Sequence, residues 1–219
     1  MSFANFYSQK MYKYLFKNSN YPYTERYYRF LLINFKEQNN QFNFMNILAE
    51  ALDAKDIIVV DHNYFVFYFN EDEIGIKDIF LSLTVDFGIV ARAFNSGKTD
   101  SRRVNDFHII YCYYKEFLEK KPYNFTNVTD LILEVIKKDI KKIKELKPAI
   151  LNDIYEDSQM EKLILSLFNN NLNVTKTAKD VYMHRNTVIN KLEYIKSETG
   201  LNIQNFNDAL CMYWLITIK

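Results

Sequence analysis

The sequence is poor in the residues that break regular structure and in those that cross-link chains. Its 219 residues include only 4 glycines, 3 prolines and 2 cysteines, whereas 48% are hydrophobic and 16% are aromatic. So little glycine and proline argues against disordered, collagen-like and loop-dominated folds, and the apolar content predicts a dense core. Cys112 and Cys211 lie too far apart for a metal knuckle or a disulfide framework, which favours a reducing cytoplasm.

Export signals, membrane spans and an excess of charge are also lacking. The N-terminus, MSFANFYSQKMYKYLF, has no basic start followed by a continuous apolar segment. The longest apolar run, ALCMYWLITI, is about half of the roughly 20 residues that span a bilayer. We therefore expect a cytoplasmic protein with no membrane partner. Because the formal net charge is +1, any contact with nucleic acid must come from a local basic patch.

No catalytic or metal-binding motif is recognisable. His62, His108 and His184 are scattered singly, without a nucleophile, a base and an orienting acid at a known spacing. The DFG tripeptide at residues 86–88 stands without the glycine-rich loop and the catalytic-loop aspartate of a kinase. We therefore expect no enzyme activity, no catalytic residue, no bound metal and no cofactor.

The first part of the chain predicts helices and a small antiparallel sheet. Residues from about 3 to 53 predict helices, because aromatic residues recur three and four apart in FYSQKMYKYLFK and TERYYRFLLINFKEQ, and NFMNILAEALDA continues the pattern. DIIVVDHNYFVFYFN is β-branched and aromatic, and the Asp-His-Asn in its middle predicts a hairpin. Further along, IKDIFLSLTV and VNDFHIIYCYYKEFLEKK predict helices, and DFGIVARAF predicts a strand.

A lysine-rich amphipathic segment, NVTDLILEVIKKDIKKIKELK, predicts a connecting helix that Pro148 ends. Its apolar stripe consists of Ile132, Val135, Ile136, Ile140 and Ile143. Acidic residues partly neutralise its six lysines, which favours a solvated face over a nucleic-acid contact. The stripe is one candidate dimer seam, and the apolar last helix, NDALCMYWLITI, is the other. For that helix, packing on the N-terminal module is the favoured alternative. We expect a regulatory or dimerisation module at residues 1–150 and a separate helical domain at residues 157–219.

Three helices are predicted in that C-terminal domain. DSQMEKLILSLFNN forms the first, capped near Asp157. The second runs from Val174 to about Val181, with Asn173 as its N-cap. The third runs from about His184 to Glu198 and ends at Gly200. Two short helices joined by a tight turn are typical of a helix-turn-helix, with an αα-hairpin as the alternative.

The outward side of the third predicted helix is polar and basic, with no acidic residue before Glu193. Arginine pairs with the O6 and N7 atoms of guanine, and asparagine with N6 and N7 of adenine, when a helix enters the major groove. The candidate base-reading residues are therefore Arg185, Asn186, His184 and Asn190. The candidate phosphate-binding residues are Thr175, Lys176, Thr187 and Lys191.

The segment NNLNVTKTAKDVYMHRNTVINKLEYIKSETGLNI resembles the C-terminal helix-turn-helix of the PucR/CdaR family of bacterial transcription regulators, through its HRNT motif and the TGL downstream. NVTKTAKDVYMHRNTVINKL is also similar to the nucleoid protein Fis. These resemblances imply that Arg185 reads base edges and that Thr175, Lys176 and Thr187 anchor phosphates. Tyr182 stands where many such turns have glycine; because a left-handed tyrosine is costly, the turn is expected to differ.

The hairpin, the strand DFGIVARAF and the helix after it are similar to the degenerate GGDEF-like middle domain of the same family. No GGDEF signature is present, so cyclase activity is not implied. The patterns together predict an α+β, DNA-binding transcription regulator from a bacterium, which binds double-stranded DNA as a homodimer. An interaction adaptor whose helix-turn-helix no longer binds DNA is the alternative. A small-molecule or protein effector that acts on the N-terminal module is a third prediction.

Overall fold

The computed structural model of the chain describes residues 8–37, 41–70, 75–122 and 124–218. The chain divides into two compact units, residues 1–127 and 128–219. The first unit contains a sheet with helices and the second is helical, which confirms the α+β class. Nearly all of the lysine-rich segment lies in the second unit. The boundary between the units therefore comes earlier in the sequence than the boundary between the predicted domains.

The first unit contains a mixed sheet flanked by helices. Its described helices are α1 (Lys10–Phe16), α2 (Gln41–Ala51), α3 (Ile76–Asp86) and α4 (Val104–Phe117). Its strands are β1 (Tyr27–Phe35), β2 (Asp56–Val60), β3 (Asn63–Tyr68), β4 (Ala91–Asn95), β5 (Thr99–Asp100) and β6 (Phe125–Thr126). The sheet order is β2-β3-β1-β4-β6, and β5 pairs with β1. β6 lies parallel to β4, and the other pairs are antiparallel. The β1-α2-β2-β3-α3-β4 part has the ferredoxin-like βαββαβ topology.

Strand β1 takes the place of the helix predicted for TERYYRFLLINFKEQ, and that prediction was wrong. Every residue from Tyr28 to Ile33 is buried, because β1 lies between β3 and β4 with both faces covered. A strand buried on both faces shows no alternation, and its dense apolar run satisfies helical spacing equally well. The hydroxyl of Thr24, just before β1, donates to the Glu25 carboxylate at 3.2 Å. Helices α1 and α2, which flank β1 in the sequence, confirm the helical prediction for the segments before and after that strand. The first residues of the predicted helical region, before residue 8, lie outside the described residues.

Aromatic rings fill the layer between the sheet and α4. The ring of Phe107 in α4 lies 5.1 Å from Phe30, 5.5 Å from Phe65 and 6.4 Å from Phe67, measured between centroids. On the opposite face, α2 and α3 bury side chains such as Phe44 against the sheet. Each fully buried large apolar side chain contributes about 1.5–3 kcal/mol to folding, so these two layers form the core of the unit.

The predicted hairpin, strand and helices of the first unit are present. Asp61 and His62 form the two-residue turn between β2 and β3, with φ of 50° and 65°. Positive φ at both positions is what a type I′ turn requires. The strand predicted from DFGIVARAF is shorter than that sequence, because Asp86 is the last residue of α3 and β4 begins only at Ala91.

The second unit consists of helices joined by short turns. They are α5 (Val128–Asp139), α6 (Ile143–Leu151), α7 (Ser158–Asn169), α8 (Val174–Asp180), α9 (Arg185–Thr199) and α10 (Phe206–Thr217), with 3-10 turns at Ile140–Lys142 and Asn152–Ile154. Among the described residues, no helix is long and apolar enough to cross a membrane.

The lysine-rich segment forms two helices, so the prediction of a single one was wrong. Asp139 leaves the helical conformation, with φ of −155°, and its side chain accepts the Lys141 N–H at 3.1 Å. The prediction that Pro148 ends the helix was also wrong. Pro148 lies inside α6, which continues to Leu151. A proline removes one amide donor, and the burial of the three residues after it offsets that loss.

Candidate nucleic-acid interface

Three consecutive helices, α7, α8 and α9, carry the predicted site, and side-chain caps define where they begin. The Asp157 carboxylate accepts the N–H groups of Gln159 and Met160 at 2.9 and 3.1 Å. The Asn173 side chain accepts the Lys176 N–H at 3.0 Å. Each cap satisfies amide donors that would otherwise lack a partner at a helix start. The predicted positions of the first two helices are therefore confirmed.

The turn between α8 and α9 is closed by two backbone hydrogen bonds. The Met183 N–H donates to the Ala178 carbonyl at 2.8 Å, and the Tyr182 N–H donates to the Lys179 carbonyl at 3.3 Å. This pattern is the Schellman motif, which places the residue after the C-cap in the left-handed region. Tyr182 has φ of 54°. The prediction that tyrosine would give a different turn was wrong, because the helix-ending bonds impose this conformation on it.

His184 caps the N-terminus of α9. Its backbone is extended, with φ of −68° and ψ of 144°, and its Nδ1 accepts the Asn186 N–H at 3.2 Å. An accepting Nδ1 carries no proton, so the hydrogen of a neutral ring lies on Nε2. His184 thus orders the start of the helix and leaves its Nε2 edge exposed.

Helix α9 is fixed along its inner face and at its C-terminal end. Val188, Leu192 and Ile195, spaced four and three residues apart, are buried. Gly200 ends the helix with φ of 72°. The Asn152 Nδ2 donates to the Glu198 carbonyl at 2.8 Å, which ties the end of α9 to the 3-10 turn after α6. A helix held at these points presents its outer face in one orientation.

A polar contact that sequence reasoning missed ties α8 to α7. The Ser166 hydroxyl donates to the Asp180 carboxylate at 2.5 Å, and the Asn170 amide lies 3.4 Å from the same oxygen. Ser166 is buried, although nothing distinguishes it in the sequence from a solvent-facing residue. The four-residue spacing of Ser166 in α7 and Asn170 at its C-cap is the signal in the sequence that could have indicated the pair.

The predicted site residues lie on the exposed side of α8 and α9. Of the eight predicted site residues, the capping His184 and six others have exposed side chains, and Lys191 is half-buried. The six others are Thr175, Lys176, Arg185, Asn186, Thr187 and Asn190. On α9, residues four apart share a face, so the Asn186 and Asn190 positions form one row and the Thr187 and Lys191 positions form the next. Thr175 and Lys176 lie in the first turn of α8, which packs against α9. The first turn of α9 has no acidic residue.

The first unit contains a separate charged cluster. The Asp100 carboxylate, 1% exposed, accepts from the Arg26 guanidinium at 2.9 Å and from that of Arg102 at 2.7 Å. Burial alone would raise the pKa of Asp100, but the hydrogen bonds from Arg102 and Arg26 outweigh it and lower that pKa to about 2. Tyr27 pairs with Asp100 between β1 and β5, so this cluster joins the two strands. No group of three potential metal-ligating side chains occurs within the described ranges.

The order of helices, the Schellman turn and the capped third helix define a helix-turn-helix domain. Residues 162–218 match the family model of the PucR C-terminal helix-turn-helix domain. The uncharacterized protein YxkF of Bacillus subtilis is 28% identical over 85 residues, which are 39% of this chain and 28% of that protein. The solved structure of a regulator of polyketide synthase expression from Bifidobacterium adolescentis was also found. The alignment covers 89% of this chain and 81% of the regulator's chain, at 12% sequence identity and a TM-score of 0.38.

Proposed function

We propose that this chain is a transcription regulator that reads double-stranded DNA through α9. The observation that carries the proposal is the first turn of α9, where exposed Arg185 and Asn186 follow the His184 cap and no acidic residue intervenes. The match of residues 162–218 to a PucR helix-turn-helix domain supports it. The protein has little net charge, so the affinity would come from this local surface.

Base reading is assigned to the side chains that project from α9 beyond its cap. Arg185 would pair with guanine, and Asn186 and Asn190, which share a row, would pair with adenine at neighbouring positions. His184 could contribute only its Nε2 edge, because its Nδ1 accepts the Asn186 N–H. Arg185 therefore carries most of the predicted specificity.

Phosphate contacts are assigned to residues outside the row of Asn186 and Asn190. Lys176 and Thr175 lie exposed in the first turn of α8, and Thr187 and Lys191 form the second row of α9. Half-burial of the Lys191 stem is compatible with a charged end in solvent. Such contacts set the position of a helix on the duplex and carry no sequence information.

We further propose that the protein acts as a homodimer, since one such unit reads few base pairs and two-fold pairs read half-sites about one helical turn apart. Ile132, Val135 and Ile143 of the first candidate seam are buried, and Ile140 is 36% exposed. The outer side of α10 leaves Phe206 77% exposed and Tyr213 43% exposed. The accessible apolar surface therefore favours α10 as the seam.

The test begins with recovery of genomic fragments bound by the purified protein, followed by fluorescence anisotropy on the recovered operator. Arg185→Ala is expected to cost about 1–3 kcal/mol at the operator and little on unrelated DNA. Lys176→Ala should weaken binding to every duplex to a similar degree. Lys196→Ala, on the last turn of the same helix, is the matched control and should change neither. Unchanged binding in both test variants would contradict the proposal.

The alternative is an adaptor whose helix-turn-helix no longer contacts DNA, and the near-neutral charge favours it. A salt titration separates the two functions. The logarithm of a DNA binder's association constant falls linearly with the logarithm of salt concentration, with a slope of about −0.9 for each phosphate neutralised. An adaptor would retain no DNA even at low salt.

An effector of the first unit stays part of the proposal. The aromatic layer beneath α4 is filled by rings in mutual contact. A surface cleft of about 390 Å³ lies between the start of α1 and the β2 strand, lined by Gln9, Tyr12, Ile58 and Val59. This cleft is one place in the first unit where binding of a small molecule can be tested.

A further inference from the structure

Tyr182, in the turn between α8 and α9, is exposed to an unusual degree. Its side chain is 96% exposed, more than any other large hydrophobic side chain in the described part of the chain. The ring therefore gains almost nothing from burial, although burial is what normally stabilises an aromatic side chain. Packing within the fold does not explain a tyrosine at this position.

The backbone of Tyr182 adds a cost to this exposure. Its φ of 54° lies in the left-handed region, which glycine occupies freely and a tyrosine occupies at the expense of stability. The two hydrogen bonds of the Schellman turn hold it there. Unfavourable conformations of this kind are concentrated at functional sites, where another interaction offsets them.

The position of Tyr182 limits what that interaction can be. Tyr182 lies two residues before the His184 cap and three before Arg185. Lys179, whose carbonyl accepts the Tyr182 N–H, is also exposed. An exposed ring amid exposed lysine, histidine and arginine side chains is suited to an anionic partner that also offers apolar surface. The sugar-phosphate backbone of DNA has both properties.

We propose that the ring of Tyr182 packs against the DNA backbone beside the groove that α9 enters, with its hydroxyl donating to a phosphate oxygen. This inference rests on the proposed function and adds a contact that supplies affinity without sequence preference. Tyrosine suits such a contact because its ring is apolar and its hydroxyl is a donor.

The test exploits the opposite signs of the two effects. Tyr182→Gly relieves the left-handed backbone and should raise the melting temperature, yet it removes the ring and should weaken DNA binding about fivefold or more. The loss should be equal on the operator and on an unrelated duplex. Tyr182→Asn tolerates the same conformation with less flexibility than glycine, so an equal loss in both variants shows that the ring is responsible.

Two further variants make the outcomes distinct. Phe42→Ala removes another exposed ring, in α2 of the first unit and distant in sequence from the turn, and should leave binding to DNA unchanged. Tyr182→Phe keeps the ring and should bind more tightly than Tyr182→Gly. Unchanged affinity in Tyr182→Gly, while Arg185→Ala loses the operator, would overturn the contact and leave the proposed function intact. A wild-type chain that binds no DNA would overturn both. A loss limited to the operator would show a base contact instead, and a loss of self-association alone would show a protein contact.

Discussion

The N-cap of α8 allows stability and DNA binding to be changed independently. The Asn173 side chain accepts the Lys176 N–H at 3.0 Å, and Asn173→Ala leaves that donor without its partner. Loss of such a cap costs about 1 kcal/mol, within a range of about 0.5–2. For a chain of this length that cost lowers the melting temperature by about 2–4 °C, and by about 4–8 °C if the second unit unfolds separately.

Asn173→Asp is the informative partner of that substitution. Aspartate caps a helix as well as asparagine does, so the melting temperature should stay near that of the wild type. The new carboxylate lies at the start of α8 beside Thr175 and Lys176, where we place DNA phosphates. Repulsion between these charges, after screening by salt, should reduce DNA affinity about fivefold.

Thermal unfolding followed by circular dichroism and anisotropy at constant salt measure the two effects. We expect Asn173→Ala to lower stability with a small change in affinity, and Asn173→Asp to do the reverse. An Asn173→Ala protein that melts at the wild-type temperature would refute the capping argument. An Asn173→Asp protein with full affinity would place the phosphates elsewhere.

Three further predictions concern the core and the titratable groups. Because the pKa of Asp100 is lowered to about 2, its stabilising contribution is complete above about pH 4 and is lost as pH falls towards 2. In urea unfolding, the stability advantage of the wild type over Asp100→Asn should therefore shrink across that window. A stability difference that does not depend on pH would contradict this. Burial, together with nearby carboxylates, raises the pKa of Cys211 to about 12. A thiol reagent at pH 8 should therefore modify exposed Cys112 quickly and Cys211 only on unfolding. Rapid modification of two thiols per folded chain would contradict this. Phe30 is fully buried in β1, so Phe30→Ala should cost about 3–5 kcal/mol in urea unfolding, and a cost below about 1 kcal/mol would argue against a central position for β1.

The helices of the candidate interface were predictable because their signals are local. Asp157, Asn173 and Gly200 act within their own turns of backbone, so their residue types suffice to place helix boundaries. Val188 and Leu192, four residues apart, likewise indicate which side of α9 is buried. The roles of individual residues in contacting DNA are a different matter, because they depend on a partner that local signals do not describe.

The features that escaped prediction depend on contacts distant in the sequence. β1 was assigned to a helix because its burial comes from β3 and β4, which pair with it from elsewhere in the chain. The bond between Ser166 and Asp180 spans two helices, and neither residue type predicts the other. Tyr182 shows the reverse case, in which a strong local preference against left-handed tyrosine yields to the hydrogen bonds of the turn.

Apart from His184, which caps α9 and offers DNA only its Nε2 edge, the residues that shape α9 and those assigned to DNA are different sets. That separation makes the proposed function testable. Asn152 and Gly200 fix the end of the helix, and its inner face is buried. Arg185 and Asn190 are exposed. Surface substitutions of this kind change stability by less than about 0.5 kcal/mol. Loss of DNA binding in Arg185→Ala at an unchanged melting temperature can therefore only reflect a lost contact with DNA, whereas the same loss with a lowered melting temperature would mean that Arg185 supports the fold.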